Sequence, residues 1–262
     1  MSETTTPFSL AGSVVVQCGG SGLLGGALAM AISQAGATLV VASRQRDALD
    51  AVAARARTKK LKVEAAQVDI GSEESILALR DGVLARHGRI DGFVFNAVSR
   101  PMRGLDDTLS AWSESMATNA TGMFATLRAF GQTMVTQQRG SIVAISSIQG
   151  MVGSNPWLYE GTTMSSPPDY YFHKAGMINL ARHLASHFGA KGVRVNVVSP
   201  GGIHNSERPQ APEFRQRYDR MTMLGRMAEP HEVGGAVVFL LSEAASYITG
   251  INLPVDGGYT AK

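Results

Sequence analysis

A tyrosine and a lysine four residues apart are suited to acid–base chemistry. Tyr170 and Lys174 lie in the segment PPDYYFHKAG, whose two prolines suit the first turn of a helix. Residues at this spacing share one helix face, so the phenol and the ammonium group should point the same way. Because a nearby cation stabilises the phenolate, Lys174 would lower the pKa of Tyr170. The pair predicts a general acid–base centre, although the same spacing also arises by chance.

Two other polar residues could complete such a centre. Ser147 follows the apolar run in GSIVAISSIQG, where it either hydrogen-bonds a substrate oxygen or simply ends a strand. Asn119, in MATNATG, either holds a water linked to Lys174 or is an ordinary polar residue on a helix face.

A glycine-rich turn occurs in VVVQCGGSGLLGGALA, residues 14–29. Glycines between a strand and a helix let backbone N–H groups face a pyrophosphate, but they also serve simple close packing. Two registers compete: Gly20-x-Gly22-x-x-Gly25, and one built on Gly19 and Gly25.

Residues after the second and third β-rich runs bear on the choice of cofactor. Ser43-Arg44 suits a 2′-phosphate, where an acidic residue would suit a free ribose hydroxyl. This favours NADP(H), with NAD(H) as the alternative if Arg44 is only a solvated residue at a helix start. Asp69, which precedes Ile70, either accepts a hydrogen bond from the adenine amino group or caps the helix that begins near Ser72.

The elements that must position these residues alternate along the chain. Segments with helical spacing separate the β-rich runs, and this alternation predicts parallel strands joined by helical crossovers. The expected fold class is α/β, with one Rossmann-like, doubly wound parallel sheet of about seven strands and helices on both faces. The runs are SVVVQ from Ser13, TLVVA from Thr38, KVEAA from Lys62, FVF from Phe93, SIVAI from Ser141, VRVNVV from Val193 and INLPV from Ile251.

The whole chain, from about Ser9 to Thr260, resembles a classical short-chain dehydrogenase/reductase. The resemblance selects the Gly19 and Gly25 register. The matching residues are Cys18 to Gly25, Phe95-Asn96-Ala97-Val98, Asn119, Ser147, Tyr170-x-x-x-Lys174, Arg194-Val195-Asn196 running to Pro200-Gly201, and Val255-Asp256-Gly257-Gly258.

This resemblance implies a catalytic tetrad. Tyr170 would exchange a proton with the substrate oxygen, and Lys174 would bind the nicotinamide ribose and lower the tyrosine pKa. Ser147 would polarise the carbonyl, Asn119 would support a proton-relay water, and hydride would pass between the nicotinamide and a carbonyl or alcohol carbon. The implied assembly is a homotetramer. The implied cofactor-binding residues are Gly19, Ser21, Leu23, Leu24, Ser43, Arg44, Asp69, Ile70, Asn96, Ala97, Val98, Tyr170, Lys174, Pro200, Gly201 and Ile203.

Two residues depart from the family pattern within this set. Leu23 stands where the family has its middle glycine, and we expect a negative φ there. Val98 replaces another glycine and should narrow the space near the adenosine ribose.

Two long segments without a regular pattern bear on the substrate. Between Ser147 and Tyr170 lie 22 residues, about ten more than in the simplest family members, which predicts an enlarged active-site loop at 151–169. A substrate-binding loop is expected at 201–222. Trp157, Tyr159 and Glu160 suit a polyhydroxylated ring, or else an oligomer contact or a packed surface loop.

Cationic side chains follow two of the strands. Arg100 and Arg103 come after the fourth strand, and His204 and Arg208 after the sixth. If two of them converge, the substrate is anionic, such as a sugar acid; singly, each is an ordinary surface residue.

Composition excludes several other classes. With 44% hydrophobic and 17% charged residues, the chain is an ordinary globular sequence, expected to form a single domain over 1–262. Its net charge of +3 comes from scattered residues, so we expect no nucleic-acid partner. Without a leader-like start or a long apolar run, we expect no membrane partner and a cytoplasmic location. Cys18 is either a small buried residue or a reactive thiol.

The leading hypothesis is an NADP(H)-dependent oxidoreductase acting on a small-molecule sugar, sugar acid or polyol. The alternatives are a 3-oxoacyl thioester reductase and a non-catalytic nucleotide sensor or scaffold. His183 and His187 share a helix face without an evident third ligand, so we expect no metal site.

Overall fold

A computed structural model describes residues 6–262 of the chain. The first residues of the predicted 1–262 domain, 1–5, lie outside the described residues.

One seven-stranded parallel sheet organises the described residues, in the order β3-β2-β1-β4-β5-β6-β7. This confirms the predicted fold class, with each predicted run forming a strand. The order reverses between β1 and β4, and such a switch point opens a crevice at the carboxyl ends of the strands. The strands are β1 (Val14–Cys18), β2 (Thr38–Ser43), β3 (Val63–Gln67), β4 (Gly92–Phe95), β5 (Gly140–Ile145), β6 (Val193–Pro200) and β7 (Asn252–Val255).

Residues 6–262 contain eight α-helices, six of which pack against the sheet. The third shows how the sequence sets its ends: Ser72 caps it by accepting a hydrogen bond from the Ser75 N–H, and Gly88 ends it with a φ of 72°. A π-helical segment, Ala117–Gly122, joins α4 to α5. The helices are α1 (Leu23–Gln34), α2 (Arg46–Thr58), α3 (Glu73–His87), α4 (Leu109–Met116), α5 (Met123–Gln137), α6 (Pro168–Phe188), α7 (Pro212–Met221) and α8 (Gly234–Leu241).

Strand side chains alternate between two hydrophobic cores, one on each face of the sheet. Val16 and Phe93 enter the core that α3, α5 and α6 complete, whereas Val15 and Leu39 enter the core formed with α1, α2 and α8. Burial on both faces explains why the strands are continuous apolar runs. Cys18, at the end of β1, is fully buried, and burial raises the pKa of its thiol to about 12. It is therefore a packing residue, as the first of the two interpretations held.

The two predicted loops are partly regular. Residues 201–222 were expected to be one substrate-binding loop, but Pro212–Met221 forms α7. The predicted loop at 151–169 contains a 3₁₀ turn at Pro156–Leu158, and its last two residues begin α6. Pro212 and Pro168 both occupy first-turn positions, where a missing N–H costs nothing.

No α-helix in the described part of the chain is both long enough and apolar enough to cross a membrane.

Candidate active site

A cavity of about 850 Å³ opens at the carboxyl ends of the strands. It brings the glycine-rich turn and the predicted acid–base pair together in one cleft. The predicted cofactor-binding residues that line it are Gly19, Ser21, Leu23, Leu24, Ser43, Arg44, Ile70, Asn96, Ala97, Val98, Tyr170, Lys174, Pro200, Gly201 and Ile203.

Steric contacts decide the register of the glycine turn. Gly19 has a φ of +85°, and a Cβ there would lie 2.5 Å from the Ala97 nitrogen. A Cβ at Gly25 would lie 2.2 Å from the Gly19 carbonyl oxygen. Gly22, by contrast, has a φ of −77° and open space around its Cβ position. The chain therefore needs glycine at 19 and 25, which is the register that the resemblance selects.

Side-chain hydrogen bonds hold this turn against the sheet. The Asn96 Nδ2 donates to the Gly19 carbonyl at 2.8 Å, and the Gln17 Nε2 donates to the Gly25 carbonyl at 2.8 Å. Leu23 opens α1 without a positive φ, as expected. Because Gly22 provides no capping side chain, the N–H groups of the first turn remain available for the pyrophosphate of a dinucleotide.

The adenosine end of the cavity lies beyond β2. Ser43 and Arg44 line it, and Arg44 is exposed. Asp69 does not cap α3, because Ser72 does; it is exposed between two residues of the cavity lining, Val68 and Ile70, and its contact with the adenine amino group stays a prediction. The Asp69 carboxylate accepts a hydrogen bond from the Gly71 N–H at 2.9 Å, which shapes the turn after β3.

Tyr170 and Lys174 lie on the same side of α6, as their spacing predicts. The Lys174 Nζ is 5.5 Å from the Tyr170 ring centroid and donates a hydrogen bond to the Ile145 carbonyl at 2.6 Å. The Ser146 hydroxyl donates to the Lys174 carbonyl at 2.8 Å. These bonds join α6 to the end of β5, which places Ser147 in the same cavity.

Burial controls the ionisation of the pair. It raises the pKa of Tyr170 above its ordinary value, and the Arg100 guanidinium and the Ser147 hydroxyl oppose this only in part. Burial, together with Arg100, lowers the pKa of Lys174 to about 7. In the chain by itself the pKa of Tyr170 is therefore raised rather than lowered, because desolvation of the phenolate outweighs the effects of the Arg100 guanidinium and the Ser147 hydroxyl.

Asn119 lies within the π-helical segment and is almost fully buried. Its Nδ2 donates to the Ser99 carbonyl at 2.8 Å and to the Ser115 hydroxyl at 2.9 Å. Its Oδ1 accepts from the Ser99 N–H at 2.8 Å. Both amide hydrogens are thus engaged, so the side chain fixes the loop after β4, and a water relay toward Lys174 would need another acceptor, such as a backbone carbonyl.

Comparison with known proteins agrees with this geometry. A family model described as Enoyl-(Acyl carrier protein) reductase matches residues 21–260. The chain belongs to the short-chain dehydrogenase/reductase family. It is 32% identical to galactitol 2-dehydrogenase (L-tagatose-forming) of Cereibacter sphaeroides, over 97% of this chain and 98% of that protein. It is also 32% identical to the 3-oxoacyl-[acyl-carrier-protein] reductase FabG of Aquifex aeolicus, over 96% and 98%.

Among solved structures, a gluconate 5-dehydrogenase from Burkholderia cenocepacia, crystallised with NADP and tartrate, superposes with a TM-score of 0.87. It shares 25% sequence identity with this chain, and the match covers 98% of each.

The substrate end of this short-chain dehydrogenase contains a polar cluster that sequence reasoning missed in part. The Gln149 Nε2 donates to the hydroxyls of Tyr159 and Tyr171 at 3.1 and 3.0 Å. Ser166 lies in the same cluster, 3.1 Å from that amide nitrogen. Of these residues, only Tyr159 was predicted. The others come together because the long loop folds back onto the start of α6.

An aromatic wall faces this cluster and was also missed. Phe214 and Tyr218 on α7 stack at 5.9 Å, and Tyr218 stacks on Tyr259 of the C-terminal segment at 5.2 Å. All three line the cavity. Phe214 and Tyr218 are four residues apart, which is a helical spacing. The other residues of this segment are mostly charged or polar, so the sequence did not predict a helix.

Three predicted substrate residues do not line the cavity: Trp157, Glu160 and His204. The backbone carbonyls of Trp157 and Glu160 accept hydrogen bonds from Arg217, whose guanidinium lies 5.6 Å from the indole ring. His204 pairs with Glu229 at 3.1 Å. The expected convergence of cations is thus reduced to Arg100, which lines the cavity together with Tyr159.

Two buried polar residues next to Tyr170 were also unforeseen. Asp169 accepts a hydrogen bond from the Ser115 hydroxyl, which extends the Asn119 network to the start of α6. His173 is 3% exposed, and neither ring nitrogen has a hydrogen-bond partner within residues 6–262. Burial, Lys174 and Arg100 lower the pKa of His173 to about 3. In the same residues no group of three or more His, Cys, Asp or Glu side chains is arranged to hold a metal ion.

Proposed function

We propose that this protein is an NADP(H)-dependent oxidoreductase acting on a polyhydroxylated small molecule: a sugar, a sugar acid or a polyol. The observation that supports it most strongly is the single cavity shared by Tyr170, Lys174 and Ser147 and by the Gly19–Gly25 turn. Within the family, oxidoreductase activity on alcohols and carbonyls follows from this arrangement.

The chemistry follows from the groups around Tyr170. NADP(H) would supply or accept the hydride. The phenol donates its proton to the carbonyl oxygen during reduction and, as phenolate, removes the hydroxyl proton during oxidation. Ser147 would donate a hydrogen bond to the same oxygen, and Lys174 would bind the nicotinamide ribose and stabilise the phenolate when it forms.

The cofactor proposal depends on Arg44. The cavity lining in the described part of the chain contains Arg44, Arg100 and Lys174 and no Asp or Glu. An acidic residue after β2 would repel a 2′-phosphate, whereas Arg44 can bind it through two parallel hydrogen bonds. The NADP complex of the related gluconate 5-dehydrogenase supports the same choice.

A polyhydroxylated substrate suits the other end of the cavity. The cluster around Gln149 offers several hydrogen-bonding groups, and the wall of Phe214, Tyr218 and Tyr259 offers aromatic faces for C–H groups. Galactitol 2-dehydrogenase and gluconate 5-dehydrogenase act on such compounds and resemble this chain over nearly its whole length. The FabG relative is a 3-oxoacyl-[acyl-carrier-protein] reductase, so an acyl thioester remains the alternative substrate.

A substrate panel tests the proposal. NADP⁺ reduction would be followed with polyols and sugar acids, and NADPH oxidation with ketoses, keto sugar acids and acetoacetyl thioesters. Turnover should be fastest with a polyhydroxylated compound. Preference for the thioester would replace the proposal with 3-oxoacyl reduction, and tight NADPH binding without turnover of any compound would indicate a sensor.

We also propose that the chain assembles as a homotetramer through the long helical segments α4–α5 and α6 and through the C-terminal segment. Exposed apolar side chains support this, since Leu109 on α4 is 84% exposed and Phe172 on α6 is 58% exposed. Phe172 packs beside Trp112 of α4 at 5.3 Å, so the two helices present one apolar surface. Light scattering coupled to gel filtration should give four times the chain mass; a monomer would refute the assembly.

A further inference from the structure

Arg100 has no role in the cofactor contacts proposed above. It follows β4, lines the cavity, and its guanidinium carbon lies 4.8 Å from the Tyr170 ring centroid. The same loop is fixed by Ser99, which exchanges hydrogen bonds with Asn119. The backbone before Arg100 is thus hydrogen-bonded to Asn119, and the exposed guanidinium lies over the ring of Tyr170.

The positive charge of Arg100 is not neutralised by the protein. Within residues 6–262, no carboxylate lies within salt-bridge distance of its side chain. By contrast, Arg89 and Arg226 have carboxylate partners at 2.5 and 2.7 Å. The cavity lining also provides no Asp or Glu, so the exposed guanidinium of Arg100 is solvated by water and free to pair with a bound anion.

Under the proposed function, each of the other cationic side chains of the cavity binds a group of the cofactor. Arg44 lies at the adenosine end, where it would meet the 2′-phosphate, and Lys174 would meet the nicotinamide ribose. The pyrophosphate belongs to the turn at Gly19 and Gly25. Arg100 therefore remains for the substrate.

We propose that the substrate carries a carboxylate that pairs with Arg100 while its neighbouring hydroxyl or carbonyl group meets Tyr170. This deepens the proposed function and rests on it: of a sugar, a sugar acid and a polyol, the site selects the sugar acid. A guanidinium binds a carboxylate through two parallel hydrogen bonds, which would also orient the reacting carbon. The closeness of Arg100 to the phenol places the carboxylate near the reacting carbon rather than at the far end of a long molecule.

Matched substrates and variants test this. Each aldonate is compared with the polyol of the same carbon chain: gluconate with glucitol, galactonate with galactitol, threonate with threitol. The readout is the acid-to-polyol ratio of kcat/KM with NADP⁺ for wild type, Arg100→Gln and Arg100→Lys. Arg103→Gln is the matched control, because Arg103 is exposed on the same loop but does not line the cavity.

We expect wild type to prefer at least one acid over its polyol. Arg100→Gln should lower that ratio by about 10-fold or more, the value of a charge-assisted hydrogen bond. Arg100→Lys should restore part of it, and Arg103→Gln should leave it unchanged. A fluorescence titration of each variant with NADPH should give the wild-type Kd, which also shows that the variant is folded.

Several outcomes would overturn the proposal. Among them are a wild-type preference for polyols, an equal loss on acid and polyol in Arg100→Gln, and a weakened NADPH Kd in that variant, which would assign Arg100 to the cofactor. Preference for a sugar phosphate over the acid would also reject the carboxylate. If wild type oxidises neither member of any pair but reduces acetoacetyl thioesters, the proposed function itself has failed.

Discussion

Replacing His173 with leucine should make the protein more resistant to mild acid. In the structure the imidazole on α6 is buried, with its ring centroid 5.2 Å from that of Tyr170 and the two rings nearly perpendicular. Neither nitrogen has a hydrogen-bond partner among the described residues. Protonation would add a charge beside Lys174 and Arg100, so the folded chain keeps the ring neutral.

The size of the effect follows from the two pKa values. The pKa of His173 falls from 6.5 to about 3 on folding, so between these values the unfolded chain binds more protons, and stability is lost as pH falls. Integrating the proton-binding difference from pH 7 to pH 5 gives a loss of about 2 kcal/mol in the free energy of unfolding from this one residue. Leucine has a similar volume and no titrating group, so the variant should lack this loss.

Urea unfolding at pH 7, 6 and 5 measures it. All samples need the same protein concentration, since assembly contributes to the measured stability. His183→Gln is the control, because His183 lies exposed on the same helix. It should follow wild type, whereas the His173→Leu curve should be flatter by about 2 kcal/mol over that range. Parallel loss in wild type and His173→Leu would show that His173 is protonated in the folded chain, and the argument from burial would be wrong.

Three further predictions concern the site. Tyr170→Phe should abolish turnover while NADPH still binds with the wild-type Kd by fluorescence titration; retained turnover would remove Tyr170 from its role. Arg44→Asp should shift the kcat/KM ratio from NADPH toward NADH by about 10-fold or more, and an unchanged ratio would mean that Arg44 only faces solvent. Because burial raises the pKa of Tyr170, alcohol oxidation, which needs the phenolate, should speed up as pH rises from 7 to 10, while carbonyl reduction should not; opposite slopes in initial-rate measurements would contradict this assignment.

The strands of the sheet could be predicted from the sequence because each strand is marked by its own short run of residues. Strands such as Val193–Pro200 are buried on both faces and therefore appear as continuous apolar runs. Helix α7 lacks such a signal, since PEFRQRYDRM buries only Phe214 and Tyr218. Its stability comes from tertiary contacts with Tyr159 and Tyr259, and these residues are distant in sequence. Pattern reasoning consequently predicted a loop there.

The identities of many site residues could be predicted from the sequence. The directions of their side chains and the effect of burial on their pKa values could not. Trp157 and Tyr159 are two residues apart, yet only Tyr159 lines the cavity, because the 3₁₀ turn at Pro156–Leu158 sends their side chains to different sides. Charge spacing suggested a lowered pKa for Tyr170, but the cost of burying a phenolate depends on every neighbouring element. That cost appears only when α6, the loop after β4 and the end of β5 are assembled.

The buried network behind Tyr170 explains how a loop and a helix start can hold a catalytic geometry. Ser115 donates to Asp169, Asn119 donates to Ser115, and Asn119 is bonded twice to Ser99. Asp169 immediately precedes Tyr170, and Ser99 immediately precedes Arg100, so one chain of hydrogen bonds fixes the chain next to both residues. Loss of a partner would leave a buried polar group unsatisfied, at a cost of about 1–3 kcal/mol. The π-helical segment is what brings Asn119 within reach of Ser99 while Ser115, four residues earlier, reaches Asp169; the irregular turn is thus tied to the position of the acid–base residue and of the proposed carboxylate anchor.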